Sequence, residues 1–115
     1  MARPVTITLS SFRPSTPSLV APLRLAIALA SAYRRHTVTV LISDEGILHT
    51  LKDRNLPWVE RYLTSAKAHQ VELWVDHASL EAQGVAREDV HPSVEVKEND
   101  EFWEMRSSSA LNLLF

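Results

Sequence analysis

"VELWVDHASLEAQGV", residues 71–85, joins a strand pattern to a helix pattern, with an acid and an imidazole at the junction. Val71, Leu73 and Val75 alternate with Glu72 and Trp74, and that period of two predicts a strand. Small and helix-forming residues follow from Ala78, and Gly84 closes them. A strand that runs straight into a short helix is the building unit of α/β proteins. Asp76 and His77 then fall at the carboxyl end of a strand, the edge where parallel sheets bind their ligands.

Upstream, "VTITLS" (5–10) reads as a first strand, because β-branched residues alternate with threonine. "SFRPSTPS" breaks it with two prolines and several serines. From Ser18 to Arg35 the pattern is helical: Leu19, Leu23, Ile27 and Ala30 share a face, with Ser18 as N-cap and Pro22 near the first turn. "TVTVLIS" (37–43) is a second strand, apolar enough at its end to be buried on both faces. "DEGILHTLKDR" predicts a turn and a short helix. Pro57 opens another helix, with Trp58, Tyr62 and Ala66 toward the core.

Downstream, "VAREDVHP" predicts a helical turn ended by Pro92, and "SVEVK" a short fourth strand. "ENDEFWEMRS" has the acidic start that suits a helix N-terminus. "RSSSA" (106–110) reads as a turn, not a nucleophile. "ALNLLF" reads as an apolar fifth strand, central or well covered. Trp74 should point opposite to Leu73 and Val75, toward a covering helix or neighbouring subunit.

The 115 residues suffice for one domain, expected over 1–115. A formal charge of -2 leaves no electrostatic footprint for nucleic acid. Its only basic cluster, Arg34-Arg35-His36, suits a helix C-terminus. No apolar run is long enough to span a bilayer. "LVAPLRLAIALASA" resembles a leader faintly, but Pro22 and Arg24 interrupt it and it is read as a helix. The chain has no cysteine, which excludes disulfides, thiolate metal sites and cysteine nucleophiles. A cytoplasmic location is compatible with that.

The order of segments resembles the DsrE/DsrF-like family of small sulfur-relay proteins, which includes TusD-type and YchN-like members. A first strand ending in "LSS", a Pro/Ser loop, a long apolar helix, "DEGI" after the second strand and Gly84-Val85 after the third carry the likeness. The resemblance implies a three-layer α/β/α domain with a parallel five-stranded sheet in the order 4-3-2-1-5. It also implies assembly as a homotrimer or homohexamer. Active members carry sulfur as a persulfide on a cysteine at the end of the third strand. Counting back from Gly84, that position is Asp76 here. A carboxylate holds no persulfide, so sulfur carriage by this chain is excluded. Association with a thiol-bearing sulfur-relay partner stays open.

The tip admits three readings. In the first, Asp76 is an N-cap for the helix that begins near Ala78. In the second, Asp76 and His77 form an acid/base or metal-dependent catalytic pair, joined by Glu45 and by His49 one helical turn from it. In the third, Ser10, Ser11 and Arg13, with Asp44, Glu45, Asp76 and His77 on neighbouring strand ends, line a small-ligand site. The first is favoured, and no cofactor or established metal motif is expected. His36, His69 and His91 are expected to be solvated at segment ends. The leading functional expectation is a non-catalytic, oligomeric binding or accessory protein; the alternative is an enzyme using Asp76 and His77.

Overall fold

The computed structural model describes residues 4–10, 19–32, 36–52 and 57–115, without the side chain of Trp58. Ser11, Arg13, the Ser18 cap and the Arg34-Arg35 pair lie outside the described residues, as does the inward direction of Trp58. Five strands are seen: β1 (Pro4–Leu9), β2 (Thr37–Ile42), β3 (Glu72–Asp76), β4 (Glu95–Lys97) and β5 (Leu111–Leu114). Between them run α1 (Val20–Ser31), α2 (Pro57–Ala68), α3 (His77–Ala82) and α4 (Asn99–Ser108). Two 3-10 segments, Asp44–Thr50 and Arg87–Asp89, complete the described elements.

All strand pairs are parallel, and the sheet order is β4-β3-β2-β1-β5. The expected fold class and order are therefore those of the structure. Handedness explains the layers. From β1 to β4 the chain advances in one direction, so its right-handed crossovers stay on one face. From β4 it must return past β1, and the same hand carries α4 over the opposite face.

The two faces differ as the register dictates. Ile7, Val40 and Leu73 stand side by side across β1, β2 and β3. With Val5, Val38, Ile42 and Val75 they form the larger core beneath α1, α2 and α3, closed by Leu23, Leu63 and Leu80. The neighbouring row, Thr8, Leu41 and Trp74, points the other way. There Leu41, Trp74 and Phe102 make a smaller core under α4. Trp74 is thus buried opposite to Leu73, as the alternation requires. β2 is buried along all but its first residue, consistent with cover on both faces.

The helix α1 ends at Ser31, earlier than the apolar pattern suggests, and Ala32 is already extended. Ala26 is fully buried between Leu23 and the half-buried Ile27 and Ala30. In α2, Ala66 is buried and Tyr62 packs half-buried against the same core. "RSSSA" is not a turn: Arg106 to Ser108 form the last turn of α4, where the Ser107 and Ser108 hydroxyls bond back to the Trp103 and Met105 carbonyls.

β5 corrects a larger expectation. It is neither central nor well covered, because it pairs with β1 alone and forms the sheet's outer edge. Leu111, Leu114 and Phe115 are 47%, 68% and 43% exposed. An apolar composition makes a strand here, but the crossover by α4 places it at the sheet's edge, where only Leu113 packs against the core among its described leucines.

Candidate functional site

The polar strand ends lie at one edge of the sheet, and three local devices shape it. β1 ends at Leu9, whose carbonyl accepts the Ser43 N–H at 3.0 Å, so the ends of β1 and β2 are level. Asp44 then takes a left-handed φ of 51°, a conformation aspartate tolerates better than most residues. Gly46 follows, its N–H bonded to the Ser43 carbonyl at 2.9 Å. A Cβ at Gly46 would stand 2.7 Å from the Leu9 carbonyl oxygen, so this close approach needs glycine. The "DEGI" motif is the sequence of that tight turn.

The third strand tip is held from both ends of α3. Asp76 is extended at φ -92° and its Oδ2 accepts the Ser79 N–H at 3.1 Å, so it is the N-cap. At the other end Gly84 is left-handed at φ 67°. Its N–H bonds Glu81 at 3.1 Å while Val85 reaches back to the Leu80 carbonyl at 2.9 Å, a Schellman closure. Ser79 faces inward as well, and its Oγ accepts the Asp44 N–H at 2.8 Å. Asp76, Ser79 and Asp44 therefore form one chain of bonds that fixes the second and third strand tips together. Asn99, the first residue of α4, adds a weaker tie by accepting the Ala78 N–H at 3.3 Å.

This arrangement decides what Asp76 and His77 can do as a pair. Asp76 is 3% exposed, and its second oxygen, Oδ1, is buried without a hydrogen-bond partner. His77 turns outward, and its Nε2 lies 2.8 Å from Glu81 one turn along α3. Its Nδ1 has no partner either, so the adjacent carboxylate and imidazole are not hydrogen bonded to each other. His77, Ala78 and Glu81 with Glu98, Asn99 and Asp100 line an open groove of about 330 Å³ between α3 and α4. Three of its residues are carboxylates, so its field disfavours anions.

The other ligand candidates are spread. Ser10, Asp44 and Glu45 are exposed at the first and second strand ends. Glu45 and His49 do not form the expected pair of ligands one turn apart. The segment is a 3-10 helix, where a spacing of four residues turns well past a full revolution, so Glu45 is exposed while His49 is buried. Among the described residues no group of three or more His, Asp or Glu is placed to hold a metal ion. No helix among them is long and apolar enough to cross a membrane.

His91 departs from expectation most. It is not solvated: its side chain is 12% exposed and its Nε2 lies 2.7 Å from Glu60 Oε2 of α2. Its Nδ1 accepts the Ser93 N–H at 3.0 Å, which makes Nε2 the protonated donor to Glu60. The backbone joins in, with His91 N–H on the Thr50 carbonyl at 2.7 Å. Only Pro92 hinted at a fixed turn there. The partners are 31 and 41 residues away along the chain. His69 is exposed, as expected, with Nδ1 on the Ser65 carbonyl.

A parallel sheet in this order, with a strand-tip cap at the third strand, defines an α/β protein of the DsrE-like fold. The structure is similar to the crystal structure of the YchN protein from E. coli, with a TM-score of 0.83 at 19% identity over the whole of both chains. It is also similar to MTH1491, a protein of unknown function from Methanobacterium thermoautotrophicum, with a TM-score of 0.71 at 14% identity over 93% of this chain and 95% of that one. No family model and no curated protein sequence matches the chain. At these identities the likeness concerns the fold.

Proposed function

We propose that the protein is a non-catalytic, cytoplasmic accessory or binding protein that acts as a homotrimer or homohexamer and serves a thiol-bearing sulfur-relay partner. One observation carries the reading: the position that ends β3 holds a buried carboxylate engaged as a helix cap, in a chain without cysteine. An aspartate accepts no persulfide sulfur, so in such a relay the sulfur rides on another chain. The DsrE-like fold supports the sulfur-relay context. The strand tips supply a rigid surface, since the Asp76–Ser79–Asp44 bonds lock it without a reactive group. Ser10, Asp44, Glu45 and His77 are the side chains it offers to a partner or small ligand.

Native mass spectrometry of the purified protein tests this. Three or six bare chains, unchanged in His77→Ala, are expected. A retained metal or metabolite that disappears in both Asp76→Ala and His77→Ala, with the fold intact by circular dichroism, would overturn it in favour of an enzyme.

A further inference from the structure

The proposed function uses the start of α3 and leaves its far end without a role. α3 is six residues long, so that end lies about 9 Å from the Asp76 cap. A second groove opens there, of about 410 Å³. Leu48, Leu51 and Lys52 line it where the first 3-10 segment ends, Gln83 and Val85 where α3 ends, and Asp89 at the second 3-10 segment. Its size falls within the range of about 300–1,000 Å³ that small-molecule clefts occupy.

Backbone bonds fix its walls. Leu51 and Val90 form an antiparallel bridge, flanked by the Lys52 N–H on the Asp89 carbonyl at 2.9 Å and the His91 N–H on the Thr50 carbonyl at 2.7 Å. The His91–Glu60 bond ties that bridge to α2, and the closure around Gly84 holds the other wall. A cleft formed before its ligand arrives keeps the ordering cost of binding low.

The chemistry of the lining is dipolar. The bond from Lys52 to Asp89 seats an ammonium and a carboxylate at one groove, yet the two side chains form no ion pair with each other. Among the described residues neither charged end has an ion-pair or hydrogen-bond partner. Leu48, Leu51 and Val85 are half-buried and supply apolar contact. Gln83 is half-buried as well, and its amide both donates and accepts. The groove between α3 and α4, with three carboxylates, has no such balance.

We propose that this groove binds a small zwitterion with an apolar side chain, an apolar α-amino acid. Its carboxylate meets Lys52, its ammonium meets Asp89, and its side chain lies on Leu48, Leu51 and Val85. A ligand with one charge answers only one of the two groups and sets a like charge near the other. A zwitterion without an apolar body gains nothing from the leucine and valine surface. The 3-10 segment and α3 both lead back to the strand tips, where Ser79 and Asp44 join them, so the ligand touches both elements that carry the tip. The site stands apart from the tip and does not depend on a sulfur-relay partner.

Titration calorimetry of the full wild-type chain tests this with three probes of one carbon skeleton. L-Leucine carries both charges, 4-methylpentanoate lacks the ammonium, and 3-methylbutylamine lacks the carboxylate. L-Leucine is expected to bind, and each single-charge analogue about tenfold more weakly, the scale of one charge-assisted contact. Lys52→Met should weaken L-leucine by about tenfold without weakening 3-methylbutylamine, and Asp89→Asn should do the same without weakening 4-methylpentanoate. Both side chains are exposed, so circular dichroism should match wild type in each variant. Methyl NMR should show L-leucine shifting the Leu48, Leu51 and Val85 signals. No binding of L-leucine at millimolar concentration, equal binding of the analogues, or an affinity unchanged in both variants overturns the site. Shifts centred on Ala78, in the groove between α3 and α4, overturn it too. Each of those failures leaves the homo-oligomer and strand-tip readings intact.

Discussion

β3 and β5 are made of similar material and have opposite fates. "ELWVD" and "LNLL" each bring three apolar residues to a parallel pairing with an inner strand. In β3, Leu73, Trp74 and Val75 are 2%, 5% and 0% exposed. In β5, Leu111 and Leu114 are about half exposed or more. β3 has neighbours on both sides and helices over both faces, and it ends in a capped, bonded tip. β5 has a neighbour on one side and ends free of such ties. Apolarity is therefore a property of the segment, while burial is a property of its place in the sheet. A strand that is apolar and still exposed has kept surface that a partner can use.

Substitutions can break or sharpen this contrast, and the largest effect is expected in β3. Trp74→Ala removes the central side chain of the core under α4, along with the ring that Lys97 overlies at 4.7 Å. Urea unfolding should show a loss of about 3–5 kcal/mol. A loss below about 1 kcal/mol would mean that the second face is not a true core.

The strand tip should come next. Ser79→Ala leaves the Asp44 N–H without its acceptor and should cost about 1–3 kcal/mol in the same measurement. Asp76→Ala, which removes the cap, should cost about 1 kcal/mol, whereas Asp76→Asn retains a capping oxygen and should lose only a few tenths. If Asn proved as costly as Ala, the carboxylate would have a role beyond the cap, and the enzyme reading would regain ground.

At the β4 edge the effect is small and depends on pH. The hydrogen bond that Lys97 donates to Glu95 foremost, opposed by burial and reinforced by Glu101, raises the Lys97 pKa above its ordinary value of 10.5. A raised folded-state pKa means that this stabilisation is complete below the lysine range and fades as pH climbs through the folded value. Thermal unfolding of wild type should therefore lose a component above about pH 10.5 that Lys97→Met lacks. At neutral pH Lys97→Met should cost less than about 1 kcal/mol, because its partners are largely exposed. Smallest of all should be Leu114→Ser in β5, within about 0.5 kcal/mol of wild type when the protein is dilute enough to be monomeric. A larger loss there would show that β5 is buried in solution and would erase the contrast with β3.

Much of this was legible in the chain. The alternation of Val71 to Val75, the aspartate before a helix and the left-handed glycine after it specify β3, its cap and the closure of α3. Each depends on neighbours within a few residues, and local chemistry is what sequence patterns record. The lack of cysteine settled as directly that the chain carries no persulfide.

What only the tertiary structure decided involves residues far apart. Ser79 meets Asp44 35 positions away, and His91 meets Glu60 31 positions away. No periodicity encodes such meetings, because they follow from how crossovers stack the strand ends. The 3-10 geometry that separates Glu45 from His49 depends on the approach of Gly46 to Leu9 on another strand. The exposure of β5 has the same origin. Its residues dictate an extended apolar strand, but the direction in which α4 crosses the sheet decides that this strand lies at an edge, with Leu111 and Leu114 exposed and only Leu113 turned into the core.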